Sequence, residues 1–361
     1  MHHLTAIPGD GIGPEVMQAA MRVLEATGVD FEWDVQHAGA AVLEREGTAL
    51  PARAVDSIRE RGVALKGPIS TPVGKGIRSA NLELRELLGL HAGIRPCKAY
   101  RGAPTRFPET DFVVVRMLAG DLYAGVEYDR DDSATARLKS LIVDTGRGKL
   151  DDDVGISIKP ISESSTRRVA RTAFEHALAT GRSKVTAVHK ASVMRSTDGL
   201  FLATVREIGR REYPQVELDD GLVDSVCHRL VTRPEELDVL VLPMLYGDII
   251  SDLGAGLIGG LGMAPGANVG DDCAVFEAVH GSAPRHAGHN SANPLGLVLS
   301  GALLLHHVGE PEAGKRVERA VAAVVESGER VTADLMPGND RSSRWGTSDV
   351  ADAVIAQLRS A

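Results

Sequence analysis

The sequence predicts an α/β fold divided between two lobes. Short β-branched runs alternate with longer amphipathic stretches along most of the chain, the pattern of strands joined by helices. At 361 residues the chain exceeds one ordinary core, so one large or two medium domains are expected. With 43% apolar and 25% charged residues, it has the make-up of a soluble globular protein.

The elements follow in order. Residues 4–7 read as a strand and 14–26 as a helix, with Pro14 in the first turn, where its missing N–H costs nothing. Strands at 31–36 and 63–65 flank a helix at 52–61, and a further helix covers 82–88. Between about 100 and 108 the composition shifts to Arg, Gly, Pro and Thr, which reads as a crossover between lobes. A strand at 112–115 follows. Residues 129–153 are charged and weakly periodic, then give way to the alternating run 154–159. That run predicts a two-stranded arm able to pair with a partner subunit. Helices at 166–179, 200–212 and 222–230 alternate with strands at 185–188 and 239–242. Gly-rich loops occupy 254–270, and helices close the chain.

Several function classes are disfavoured. The net charge of -9 is dispersed, with no basic block, which argues against a nucleic-acid partner. No run approaches the ~18 apolar residues of a membrane span. The N-terminus lacks the basic and apolar regions of a secretory signal, and Cys97, Cys227 and Cys273 form neither C-x-x-C nor an even set, which together fit a reducing cytoplasm. An acidic protein that handles an anion must gather its arginines locally, so arginine clusters become informative.

Asp248 and Asp252 follow an apolar run that stops at Pro243. If the segment is helical from Tyr246, they share one face, one turn apart. Such a pair is either a solvated helix face or a site for a hard cation such as Mg²⁺ or Mn²⁺, and the apolar flanks Leu245, Ile249, Ile250 and Leu253 keep the second reading open. The cluster Gly9-Asp10-Gly11-Ile12-Gly13-Pro14 fails as a dinucleotide fingerprint, because proline stands where G-x-G-x-x-G needs glycine; a tight strand-to-helix turn is the simpler reading. Arg85, Arg95 and Arg116 lie at the ends of separate elements, near Ser79 and Asn81. Guanidinium forks so gathered suit a small polyanion, although each alone reads as a surface charge. Lys190 falls just beyond an apolar strand, where partial desolvation favours a general base, and Tyr123 offers a phenolic acid in a chain poor in aromatics. A surface lysine and a half-buried core tyrosine are the alternatives. Asp224 alone is anonymous.

Together these pieces resemble the isocitrate/3-isopropylmalate dehydrogenase family of metal-dependent β-decarboxylating dehydrogenases, nearly end to end. The landmarks are residues 7–15 around the first glycine cluster, Lys66-Gly67-Pro68 with Thr71-Pro72-Val73-Gly74, and Leu122-Tyr123-Ala124-Gly125-Val126-Glu127. Further on come Val188-His189-Lys190-Ala191, Asp198-Gly199-Leu200-Phe201, residues 246–252 and the run Phe276 through Pro284. The resemblance implies a two-lobed, non-Rossmann α/β unit. Residues 1–98 and 253–361 would form a discontinuous large cofactor-binding lobe, and 99–252 a small lobe with the dimer interface and an arm around 130–160. It implies a homodimer with shared sites, in which Asp248 and Asp252 bind Mg²⁺ or Mn²⁺ together with Asp224 from the neighbouring subunit. Lys190, also from the neighbour, would assist deprotonation of the substrate hydroxyl, and Tyr123 would protonate the product after CO₂ leaves. Arg85, Arg95 and Arg116 would clamp carboxylates. The cofactor would be held by Ser70, Thr71, Asn81, Glu277, His280, Gly281, Ala283, Pro284, Arg285, His286 and Asn293.

Ser79 and Asn81 resemble the isocitrate branch, where a polar pair meets a third carboxylate; facing an alkyl arm, that pair would be unsatisfied. Two departures leave room for an isocitrate analogue, namely homoisocitrate, isopropylmalate, tartrate, malate or phosphonomethylmalate. Met117-Leu118 replaces a polar pair after Arg116, and Ser192 stands where Asn is common. Both imply a less polar wall near the substrate arm. Arg285 and His286 suit a 2′-phosphate and favour NADP over NAD, whereas Ala333 and Pro337 lack the tyrosine and arginine of the bacterial NADP site. A non-catalytic regulatory subunit is the alternative of another class, opposed by the presence of Tyr123, Lys190, the three aspartates and the three arginines.

Overall fold

The computed structural model describes residues 1–70, 79–336 and 345–360. The expected positions Thr71 and Pro337 lie outside the described residues. The strands are β1 (His2–Ile7), β2 (Phe31–Val35), β3 (Val63–Lys66), β4 (Ala92–Lys98), β5 (Asp111–Met117), β6 (Glu127–Tyr128), β7 (Ile156–Ser157), β8 (Lys184–His189), β9 (Glu217–Leu222), β10 (Val239–Leu242), β11 (Ala267–Val269) and β12 (Ala274–Glu277). The helices are α1 (Gly13–Glu25), α2 (Ala40–Glu46), α3 (Ala52–Arg61), α4 (Ala80–Leu87), α5 (Ser133–Asp144), α6 (Glu163–Thr180), α7 (Asp198–Glu212), α8 (Val223–Thr232), α9 (Met244–Leu257), α10 (Leu295–His307), α11 (Pro311–Ser327) and α12 (Thr347–Ser360).

One sheet of ten strands runs β2-β1-β3-β12-β11-β4-β5-β10-β8-β9. Its two ends are parallel: β2, β1, β3 and β12 at one, β5, β10, β8 and β9 at the other. Between them the pairings β12–β11, β11–β4 and β4–β5 are antiparallel, so the two parallel ends point in opposite directions. Of these pairings only β4–β5 crosses the division expected after residue 98, and the boundary expected at 252/253 falls inside α9. Pro96 is tolerated within β4 because β11 reaches only to Ile94, which leaves one strand neighbour beyond it.

Side chains alternate across the seam. Ala92, Val113, Val115 and Met117 join a cluster under α6 and α7, while Cys97, Phe112 and Val114 join the largest cluster, with α1 and α9 to α12. α9 lies directly on this second face: a Cβ on Gly247 would overlap the side chain of Arg116. Glycine there lets the aspartate-bearing helix approach the arginine-bearing strand.

The expected strands and helices are all present, with ends shifted by a few residues at most. α9 begins at Met244, two residues before the expected Tyr246, and Arg116 lies within β5 rather than past it. The arm is a two-stranded pairing of Glu127 with Ser157 and Tyr128 with Ile156. Between its strands α5 occupies part of the weakly periodic segment; its periodicity was blurred because it has little to pack on, Thr135 being its one buried residue. β11 and β12 are short strands between glycine-rich turns and carry too few residues to show a period.

Candidate active site

The three arginines converge. Arg95 in β4 and Arg116 in β5 point to the face covered by α9, and Arg85 reaches the same place from α4. Arg95 is 4% exposed. Its Nη1 donates to the Ala267 carbonyl at 2.7 Å and its Nη2 to Asn268 Oδ1 at 2.7 Å. Burial lowers its pKa to about 10, the nearby Glu277 carboxylate opposing that shift. Arg116 is 3% exposed and bonds Asp248 through Nη1, yet its Nε and Nη2 are buried with no hydrogen-bond partner among the described residues. A guanidinium so placed leaves donors free for an incoming anion.

Asp248 and Asp252 stand one turn apart on α9. Asp248 spends one oxygen on Arg116 and the other on the Tyr123 hydroxyl. Burial would raise its pKa, but the positive charge of Arg116 and the hydrogen bond from Tyr123 bring it below the ordinary value. Asp252 moves the other way, raised first by burial and then by the charge of Asp248. Two oxygen donors that repel one another fit a hard divalent cation. Tyr123 is pushed up to about 12 by burial and by its bond to Asp248, so its phenol keeps its proton.

Lys190 and Asp224 are not with this group. Lys190 follows β8, Asp224 lies in the first turn of α8, and the two form an ion pair with side chains 29% and 63% exposed. Asp224 is held below its ordinary pKa by the hydrogen bond from Lys190. Among the described residues, no group of three His, Cys, Asp or Glu side chains is gathered to hold a metal ion.

Of the expected cofactor residues, Ser70, His280, Gly281, Ala283, Pro284, Arg285, His286 and Asn293 lie outside the α-helices and strands, whereas Asn81 is in α4 and Glu277 ends β12. Ser70 Oγ bonds Ser282 Oγ at 2.8 Å, and its amide donates to Asp10 Oδ2 at 2.8 Å. Gly11, at φ 60, lies where a Cβ would overlap the Ser282 carbonyl, and the Ile12 amide donates to that carbonyl at 2.9 Å. The first glycine cluster is indeed a tight turn, and it also draws the Ser70 and Ser282 loops together. Ala283, Pro284, Arg285 and His286 are exposed around a short 3-10 turn, beside the exposed Gly281. His280 is half-buried, with Nε2 lacking a partner among the described residues and a pKa lowered by burial. Asn293 is buried, its amide committed to Asp334 at 3.0 Å and to the Leu295 amide at 3.0 Å. Asn81 Oδ1 is likewise buried without a partner among the described residues, and Ser79 stands at the N-cap of α4 without capping it.

One expectation changes. Met117 and Leu118 do not make the site wall less polar, because both are buried in packing: Met117 under α6, and Leu118 with Leu84 and Leu88 of the α4 region. Glu277, expected at the cofactor, is buried among cations. It is 2.5 Å from Lys66, 3.3 Å from Arg85 and 3.7 Å from Arg95, and accepts from Asn268 at 2.6 Å. Burial would raise its pKa, but Lys66, Arg85 and Arg95 hold it far below the carboxylate range. Lys66, 2% exposed at the end of β3, had no assigned role in the sequence reading. A lysine closing an apolar strand was the only available signal.

The family model "Isocitrate/isopropylmalate dehydrogenase" matches residues 3–354. A crystal structure of isocitrate dehydrogenase from Methylococcus capsulatus superposes with a TM-score of 0.89 at 45% identity, covering 99% of this chain and 100% of that one. An NAD isocitrate dehydrogenase catalytic subunit of Arabidopsis thaliana is 41% identical over 92% of this chain and 83% of its own. An NADP isocitrate dehydrogenase of Archaeoglobus fulgidus is 38% identical over 98% and 92%.

Proposed function

The chain belongs to the isocitrate/isopropylmalate dehydrogenase family, and on that premise we propose that it oxidatively decarboxylates a 3-substituted malate with an anionic arm, isocitrate foremost, using Mg²⁺ or Mn²⁺ and NAD(P). Enzymes of this family are oxidative decarboxylating dehydrogenases that work with NAD or NADP and a divalent metal. The observation that carries the reading is Arg116: two of its buried donors lack a partner among the described residues, beside Arg85, Arg95 and the aspartate pair of α9. Unpaired cationic donors cost stability, which a substrate carboxylate offsets on binding.

Asp248 and Asp252 would hold the cation with Asp224 of a second copy. The bound metal would supply Lewis acidity at the hydroxyl and carbonyl oxygens, and the coenzyme would accept the hydride. The chain's own groups do the rest. With its charge met by a cation, Asp248 would no longer need its bonds to Arg116 and Tyr123, which would then be free to meet substrate. The arginines fix the carboxylates, Lys190 of the partner subunit accepts the hydroxyl proton, and Tyr123 returns a proton to carbon after CO₂ leaves. Exposed apolar side chains beside each half support a shared site, Ile249 (57% exposed) next to Asp248 and Val193 (71%) close after Lys190. Cofactor preference leans to NADP on Arg285 and His286, and the separation of Asp224 and Lys190 from the α9 pair supports a homodimer.

The test is a panel of isocitrate, homoisocitrate, isopropylmalate, tartrate, malate and phosphonomethylmalate against both coenzymes, with Mg²⁺, Mn²⁺ or chelator. Metal-dependent NAD(P)H formation with an anionic-arm substrate is expected. No turnover with any acid would refute the enzyme, and turnover confined to isopropylmalate would refute the anionic arm.

A further inference from the structure

The groups that fix Tyr123 and Lys190 in place are not substrate, metal or cofactor contacts, and they meet at one ammonium held by buried carboxylates. Lys159 lies two residues beyond β7, at the root of the arm, with its side chain 12% exposed. Its Nζ is 2.5 Å from Asp198 Oδ1 and 3.8 Å from Asp121 Oδ1, and both carboxylates are 0% exposed. The same nitrogen is 3.5 Å from the Tyr246 hydroxyl and 4.5 Å from the centroid of its ring.

Each aspartate uses its other contacts to hold backbone. Asp198 Oδ2 accepts from the Lys190 amide at 2.7 Å. Asp121 Oδ2 accepts from the Leu245 amide at 2.9 Å, in the first turn of α9, and its Oδ1 accepts from the Leu122 amide at 2.8 Å. Asp121 opens the turn that carries Tyr123. It sits at φ 53, a left-handed conformation that aspartate tolerates better than most side chains, and its own amide donates to the Pro160 carbonyl at 2.8 Å. The arm is thereby tied to the Tyr123 turn twice, through Pro160 and through Lys159.

We propose that Lys159 is a positioning residue whose ammonium, held between Asp198 and Asp121, sets the Lys190 strand end and the Tyr123 turn together. The proposal rests on the reading that Tyr123 and Lys190 carry the two proton transfers. Without the ammonium, two buried carboxylates face each other with no cation between them, and the loops they anchor shift. Displacement of about 1 Å at a proton-transfer group costs on the order of 10²-fold in rate while leaving the arginine clamp intact. In a dimer with shared sites, Tyr123 and Lys190 of one chain serve different sites. Each Lys159 therefore supports both.

Lys159→Met and Lys159→Arg are made in the full-length protein and assayed beside the wild type. In Lys159→Met, kcat falls about tenfold or more with KM values within about threefold, the dimer persists in sedimentation, and Lys159→Arg recovers much of the loss. Mixed dimers of wild-type and Lys159→Met chains, purified on two tags, show well under half of wild-type activity, because each site lacks one positioned group. A Lys159→Met kcat within about twofold of wild type overturns the proposal. So does a parallel fall of kcat, substrate affinity and Tm that arginine does not rescue. Mixed dimers at half activity overturn the two-site link. Should Lys159→Met fail to fold, Asp198→Asn, which keeps the acceptor oxygen and removes the charge, is read by the same criteria. A wild type silent with every acid removes the functional reading itself, a result distinct from any of these.

Discussion

Arg95 and Arg116 are 4% and 3% exposed and rest on strands of the central seam, whereas the Lys190–Asp224 pair sits at the surface with side chains 29% and 63% exposed. The first half is assembled by the fold: β4, β5, α4 and α9 bring its arginines and aspartates together in one chain, in a low dielectric where charges interact strongly. The second half has its residue types in place but in water, where a lysine–aspartate pair contributes little and is screened by salt. On the proposed reading, a second surface covers the exposed half. The comparison supports a site completed between copies.

The sharpest way to break the comparison is to disable one half per chain. Lys190→Met and Asp248→Asn each lower kcat by about 10²–10⁴-fold. If the halves come from different chains, reassorting the two inactive proteins restores about one quarter of wild-type activity, because half of the random dimers are mixed and each carries one intact site. Steady-state assay after mixing and refolding or co-expression reads this directly. No recovery in confirmed mixed dimers would place both halves in one chain.

The two halves also differ in what they contribute to stability. Glu277→Gln leaves Lys66 and Arg95 buried without their counter-charge and costs about 3–5 kcal/mol in denaturant unfolding. Asp224→Asn removes a surface partner and leaves the unfolding midpoint unchanged, while turnover is lost. The pH dependence follows from the sign of the shift. Glu277 is depressed in the fold, so its contribution is full above the unfolded carboxylate pKa of about 4.3 and is lost as pH falls toward the folded value. The wild type loses stability on acidification from about pH 4 downward, and Glu277→Gln flattens that loss. An equally steep acid limb in the variant would show that Glu277 does not carry it.

Arg116→Lys tests the buried half without emptying it. Lysine keeps the charge but not the fork, so KM for the hydroxy acid rises about 10- to 100-fold with a smaller change in kcat. A KM unchanged by this substitution would remove the observation on which the functional reading stands.

What the sequence disclosed follows the same division. The aspartate pair, the three arginines and most strands were legible because each depends on local spacing or on an apolar run. The tertiary consequences were not. Arg95 and Arg116 share a face because β4 and β5 pair antiparallel with Arg95 opposite Val114 and Arg116 opposite Gly93, a register no local spacing shows; β11 and β12, which complete the seam, are too short to show a period. Lys66 had only its place at the end of an apolar strand as a local sign and Lys159 had none, since their partners lie far off in the chain: Glu277 for one, Asp121 and Asp198 for the other. Met117 and Leu118 misled for a related reason. Their sequence place beside Arg116 suggested a site wall, but strand alternation and the packing of α4 and α6 took both into the core.

The smallest effect is expected at Arg285, and it extends the comparison to the cofactor. Unlike Arg95 and Arg116, Arg285 is exposed on a short 3-10 turn, so its attraction for a 2′-phosphate acts through water. An exposed charge pair contributes about 0.2–1 kcal/mol, which converts to roughly a 1.4- to fivefold change in affinity. Arg285→Ser therefore lowers kcat/KM for NADP by that factor and leaves NAD unaffected, and raising the salt concentration narrows the difference. A much larger loss would mean that the loop closes over the cofactor and buries the guanidinium, so that exposure in the free enzyme is a poor guide to its worth. No change with either coenzyme would remove the case for NADP, because Ala333 offers no hydroxyl to take the place of Arg285.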